Sequence, residues 1–171
     1  FLGEDTMDLA CAHLCLVPPD STPSAALSSL PSEFVLIRGY GADARRVRQL
    51  WEQLQRCQTA RINVAAPAAF GEGWHNYRRF AAMLVPLPID MVPIADLMGR
   101  ARGNPLRRNA AIRTAFVANI TMIANNLRGL GYHDIPWHPD AVLVDNAARV
   151  CLLWRRPLRR ATSSGRVRFL G

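Results

Sequence analysis

Apolar positions along the chain fall into two periods. The sharpest pattern is Ile112, Phe116, Ile120, Ile123, Leu127 and Leu130, spaced 4, 4, 3, 4 and 3. That rhythm puts all of them on one face and predicts a long amphipathic helix over 107–130, closed by Gly129 and Gly131. A second helix is predicted over 43–57, with Asp43 as cap and Val47, Leu50, Trp51 and Leu54 as the apolar face. Arg45, Arg46 and Arg48 fall on its solvated side. A third is predicted over 24–38, carrying Leu27, Leu30, Phe34 and Ile37 on one side. Pro31 sits inside it and Gly39-Tyr40-Gly41 stops it. A short helix is expected over 93–102.

Strand-like runs cover 9–17, 60–64 and 79–87. Two more, 141–144 and 149–153, flank the turn Asp145-Asn146-Ala147-Ala148. Residues 67–77, with Gly71 and Gly73, read as a loop. This mixture predicts an α+β fold. The longest apolar run, 80–93, is broken by Pro86, Pro88, Asp90 and Pro93, so no membrane span is predicted there. The chain starts at Phe1, not Met, which suggests a processed or trimmed piece.

Half of the residues are hydrophobic, enough for one globular domain or a small two-lobed one. The net charge is +8, and every one of the 21 basic residues is arginine. Without lysine there is no Schiff base, P-loop lysine or lysine phosphate anchor, whereas arginine still grips phosphate or carboxylate bidentately. Four cysteines, Cys11, Cys15, Cys57 and Cys151, form no CxxC pair and no zinc-finger spacing. Cys11 and Cys15 lie too far apart along one strand to bond well, so buried free thiols are predicted. His133 and His138 read as loop histidines, Trp137 and Trp154 as core or groove-filling, and Asp145 as the support of its own turn. No metal and no cofactor is predicted.

A long helix, a loop and a tight hairpin in this order resemble the lower half of a protein kinase. Residues 126–153, NLRGLGYHDIPWHPDAVLVDNAARVCLL, resemble the kinase run from a leucine-glycine through an HRD-type triad to the metal-binding hairpin. Residues 81–98, AAMLVPLPIDMVPIADLM, look like the hinge strand and the short helix after it. Two further stretches, 17–39 and 60–70, are similar to the strand-to-helix segment and next strand of the apicomplexan rhoptry kinase family. The resemblance spans most of 9–155.

It implies a protein-kinase-like α+β fold: a small N-lobe of strands and helix over 1–85, a hinge and truncated, mainly helical C-lobe over 86–155, and a basic, partly disordered tail over 156–171. It also implies secretion from the rhoptry to the host cell or parasitophorous vacuole. Aligned from Pro139-Asp140, the catalytic base position holds Pro136, the metal-binding asparagine position holds Ala141, and the metal-binding aspartate position holds Trp154. Arg155 and Arg156 follow in place of Phe-Gly. A shifted loop offers Asp134 as base, yet a base without metal ligands is insufficient for phosphoryl transfer. Glu33 falls where the regulatory-helix glutamate of a kinase lies, with no lysine to meet it, and reads as a surface residue.

The implied function is a catalytically inactive pseudokinase-like scaffold or allosteric regulator with a protein partner, host or parasite. The tail residues Arg155, Arg156, Arg159 and Arg160 suit an acidic surface or membrane headgroups. Nucleic acid ranks behind these, because the tail lacks interleaved aromatics and an RNA-binding motif. The rival reading is a basic structural subunit of a large ribonucleoprotein or protein assembly.

Overall fold

A computed structural model of the chain describes residues 10–15, 33–99, 104–135 and 137–160. Its first layer is an antiparallel sheet of β1 (Ala10–Cys15), β2 (Glu33–Tyr40), β3 (Ala69–His75) and β4 (Arg78–Pro86), in the spatial order β1-β2-β4-β3. Helix α1 (Ala42–Thr59) packs across β2 and β4.

β2 overturns the helix expected to run through residue 38, and residues 16–32 of that expectation lie outside the described residues. Val35, Ile37 and Gly39 are buried while Phe34, Leu36 and Arg38 face the other way, a period of two. Phe34 and Ile37 also fit a helical spacing, but both edges of this segment are paired, Val35 with His13 and with Val85. Tertiary pairing and β-branched side chains win over the local 3.6 period. Gly39 is therefore no helix stop. A Cβ there would stand 2.6 Å from the Asp43 backbone, so glycine lets the first turn of α1 approach the strand.

α1 buries Ala44, Val47, Leu50, Leu54 and Cys57. Trp51 is half-buried and stacks on Phe70, with ring centroids 5.0 Å apart. The residue before the helix is Gly41, and no side chain caps it. Asp43, expected as the cap, instead accepts from Arg46 one turn on, at 3.2 Å. The expected loop at 67–77 is mostly β3. Its turn to β4 is Asn76-Tyr77, both with positive φ (47° and 61°), as a tight two-residue hairpin needs. Residues 60–64, expected as a strand, contribute only a parallel bridge from Val64 to Leu152.

The second half contains β5 (Val92–Pro93), α2 (Ile94–Gly99), α3 (Pro105–Arg108) and α4 (Ala110–Gly129). The expected long helix is interrupted at Asn109, whose side chain accepts from the Ala111 and Ile112 amides and starts α4. Then come β6 (Tyr132–Asp134), a 3-10 turn at Pro139–Ala141, and the hairpin β7 (Val142–Val144) and β8 (Val150–Leu152), both as expected within a residue or two. β5 pairs with β7, and β9 (Arg159–Arg160) pairs with β6.

The two halves share one core. The segment after α1 is tied to β8 by Leu152 donating to Asn63 O (3.2 Å) and Ala65 donating to Leu152 O (2.8 Å). Gln53 on α1 donates to Leu158 O (2.8 Å) and accepts from Leu158 N (2.7 Å). Leu158 is buried, so the start of the expected tail packs into the body, through β9. Residues 161–171 lie outside the described residues. Among the described residues, no helix is long and apolar enough to cross a membrane.

Candidate functional site

The β7–β8 hairpin is built around Asp145. Its Oδ1 accepts from the amides of Ala147 (2.9 Å) and Arg149 (2.8 Å), and Oδ2 accepts from Arg149 Nε. The turn closes at Ala148, which takes a positive φ of 62°. Burial by itself raises the Asp145 carboxyl, but the Arg149 side chain, the two amides and the Arg149 charge outweigh it and hold the acid below its ordinary value. Asp145 thus supports its turn, as its residue type predicts.

This hairpin forms one wall of a groove of about 970 Å³. The segment 87–93, which leads from β4 into β5 and so to the strand paired with β7, lines it as well, together with the start of β2 at Glu33. Asp90, on that connection, holds a positive φ of 64° and turns the chain along the groove. Leu87, Met91, Leu143 and Leu153 supply apolar floor, and Glu33, Asp90, Asp96 and Asp140 bring carboxylates from three stretches far apart in sequence. Glu33 is therefore not on a helix: it opens β2 at the rim of this groove.

The residues singled out as degenerate kinase positions separate here. Trp154 lies just past β8 and is 2 % exposed, inside the core rather than in the groove. Its indole N–H finds no acceptor among the described residues. The neighbouring Leu153 and Arg155 line the groove instead, because alternate residues of an extended segment face opposite sides. Trp154 therefore fills core, not groove. Ala141 is half-buried in the 3-10 turn, where its carbonyl accepts from Leu153 N at 2.8 Å. Asp134 ends β6, where its backbone lies opposite Arg159 after an irregularity that follows Tyr132. The side chains of His133 and Asp134 lie outside the description, and so does Pro136 altogether. Trp137, expected in core or groove, is 40 % exposed.

His138 caps the 3-10 turn and contacts Asp140 at 3.2 Å, both exposed. No three His, Cys, Asp or Glu side chains come together as a metal cage among the described residues. Cys57 and Cys151 are free, buried thiols, pushed by burial up to about 11 and about 12. Thiols so held in the neutral form are poor nucleophiles.

A second surface was not singled out from the sequence. At the far end of the first sheet, Trp74 is 78 % exposed and Tyr77 fully exposed on the β3–β4 hairpin. Tyr40 packs on Phe80 (5.1 Å) and lies near His75 (6.2 Å). Glu72 pairs with Arg48 (3.2 Å) and Arg79 (3.3 Å) beside them. Ala69 to His75 carries no clear alternation of apolar and polar residues, and Gly71 and Gly73 give it the look of a loop.

No family model and no curated protein matches this sequence. In shape the chain is similar to WaaP, a protein of kinase-like fold solved in complex with acyl carrier protein. The TM-score is 0.50 and the identity 17 %, over 76 % of this chain and 56 % of that one. The fold is kinase-like. The sheet with one packed helix, the connecting segment at 87–93, the long helix and the hairpin form a mixed α+β kinase-like architecture, as the order of elements in the sequence implies. The chain spans little more than half the length of WaaP. The groove is lined from within both stretches that resemble kinase segments, 81–98 and 126–153, by residues 87–97 of the first and 140–153 of the second.

Proposed function

We propose that this kinase-like domain binds protein partners and does not transfer phosphoryl groups. One observation carries the reading. Counted from Pro139-Asp140, the position that holds a metal-binding aspartate in kinases is Trp154, and its side chain is sealed in the core. A carboxylate cannot simply be returned there. Trp154→Asp would bury an unpaired charge among Leu152, Leu153 and Leu158, and the expected outcome is an unfolded protein, not a revived enzyme. The strand leading into α1 supports the same reading. Its Val35-Leu36-Ile37-Arg38 has the shape of the kinase V-A-I-K strand, with arginine in place of lysine. That WaaP was solved with a bound protein supports protein binding as a use of the fold. Neither rhoptry-like stretch enters the proposal, since residues 33–39 of the strand-to-helix match are strand.

The test is phosphoryl transfer and thermal unfolding with ATP, each with and without magnesium or manganese. We expect neither metal-dependent transfer nor a metal-dependent rise in melting temperature. Ligands that bind only the folded state must raise it. Transfer that disappears in Asp134→Asn would overturn the proposal and make Asp134 the base.

The exposed aromatic and arginine surface around Trp74 favours a second reading, a basic subunit of a ribonucleoprotein assembly. Exposed rings beside arginine are the elements of single-strand stacking platforms. RNA binding that weakens steeply with salt and is lost in Trp74→Ala is the expected signature.

A further inference from the structure

The groove is acidic in a protein that is strongly basic. Its lining brings together Glu33, Asp90, Asp96, Asp140 and Asp145, from a chain that has 13 acidic residues and a charge of +8. Two arginines share the lining, and Arg149 is already bound to Asp145. Arg155 is then the one other cation among the lining residues, against four further carboxylates. Glu33, Asp90, Asp96 and Asp140 are all exposed. Asp140 touches His138, and no other described side chain pairs with Glu33, Asp90 or Asp96.

Such a lining repels a nucleotide polyphosphate. It also fails as a metal cage, since no three of these groups converge. The same lining includes Leu87, Ile89, Met91 and Leu143, with Ile89 56 % exposed. A lining that mixes apolar and anionic side chains matches a segment that carries both apolar and cationic ones.

We infer that the groove docks an arginine- or lysine-bearing amphipathic peptide segment of a partner protein. Charge complementarity selects the occupant, and the apolar floor takes its uncharged side chains. Specificity follows from sign. Acidic and polyphosphate ligands are refused by the carboxylates that attract the cationic segment. This inference rests on the protein-binding reading above and names the partner's chemistry at that site.

The experiment uses the whole chain and a fluorescent short peptide alternating arginine and leucine, titrated by anisotropy at low and high salt. Controls are the same peptide with glutamine for arginine, and ATP with magnesium as competitor. The variant is Asp90→Asn with Asp96→Asn. Both sites are exposed, and asparagine tolerates the positive φ at 90, so folding is retained and is checked by thermal unfolding. We expect salt-sensitive binding by the parent, none by the glutamine peptide, no competition by ATP, and weakening of up to about fivefold per carboxylate removed. Arg45→Gln with Arg79→Gln, on the opposite surface, should leave binding as tight or tighter. No binding by the parent, or equal binding by the folded double-asparagine variant, overturns the inference while leaving the protein-binding reading intact. Competition by ATP with magnesium overturns both.

Discussion

Helices α1 and α4 carry the same kind of sequence pattern and have very different surroundings. α1 buries five side chains along 18 residues because it packs on the two central strands of the first sheet, β2 and β4. α4 is 20 residues long and buries only Ile123 and Leu127, near its C-terminal end. Phe116 and Ile120 are half-buried, and Val117 and Met122 are 57 % and 55 % exposed. A 3.6-residue period states that a helix has an apolar face. It does not state how much of that face the rest of the fold covers.

The contrast is broken most directly by shortening one core side chain on each helix. Leu54 on α1 and Leu127 on α4 are both fully buried. Leu54→Ala is expected to cost about 2–5 kcal/mol, from lost burial and the cavity left behind. Leu127→Ala should fall toward the lower end of that range, because fewer neighbours surround its helix. Denaturant unfolding of both variants measures the difference. Equal losses would mean that α4 is as firmly packed as α1.

The next largest effect tests why α1 sits so close to its sheet. Gly39→Ala drives a methyl group to 2.6 Å from the Asp43 backbone, and backbone cannot swing aside as a side chain can. A loss of about 1–3 kcal/mol is expected, with α1 displaced from β2. Slower hydrogen exchange in α1 of the variant than of the parent would contradict it.

These two helices also show how much of the fold the sequence disclosed. α1, β4, the β7–β8 hairpin and the apolar line of α4 follow from period and turn chemistry, and all stand where they were expected. β2 does not, since Phe34 and Ile37 fit a helical spacing and only pairing with β1 and β4 decides the segment. β3 was hidden because its turn uses Asn76-Tyr77, where the familiar signal is Asn-Gly, and because its glycines resemble a loop. The groove is harder still. Its carboxylates come from Glu33, from Asp90 and Asp96, and from Asp140, three stretches far apart in sequence, and no local pattern announces that they will converge. Trp154 shows a further limit: spacing assigns its place along the chain, but only the packing decides that it faces the core.

A smaller effect concerns how α4 is held where apolar cover runs out. Asn119 donates to the carbonyl of Ala148 at 2.8 Å, linking the helix to the turn that Asp145 organises. Asp145→Asn keeps the shape but weakens the bonds to Arg149, for an expected loss of about 1–2 kcal/mol at neutral pH. The folded acid titrates below its unfolded value, so its contribution is present above the unfolded range near ~4 and disappears as pH falls through the lower folded value. The parent should therefore lose stability on acidification more steeply than Asp145→Asn. Parallel acid limbs would show that the carboxylate does not support the turn.

The smallest effect is the most informative about α4. Val117 and Met122 stand more than half exposed, so replacing them removes little buried area in the isolated chain. Met122→Ser, and Val117→Ser with it, should change stability by no more than about 0.5 kcal/mol, the usual range for exposed sites. Sedimentation and unfolding of the same variants separate two cases that a static helix cannot. If the exposed face is merely solvated, both measurements stay at parent values. If another surface covers it in solution, the serine variants dissociate or lose several-fold more stability than their exposure allows. In that case, the contrast with α1 would belong to the isolated chain alone, because α4 would be buried in the assembly as α1 is buried in the fold.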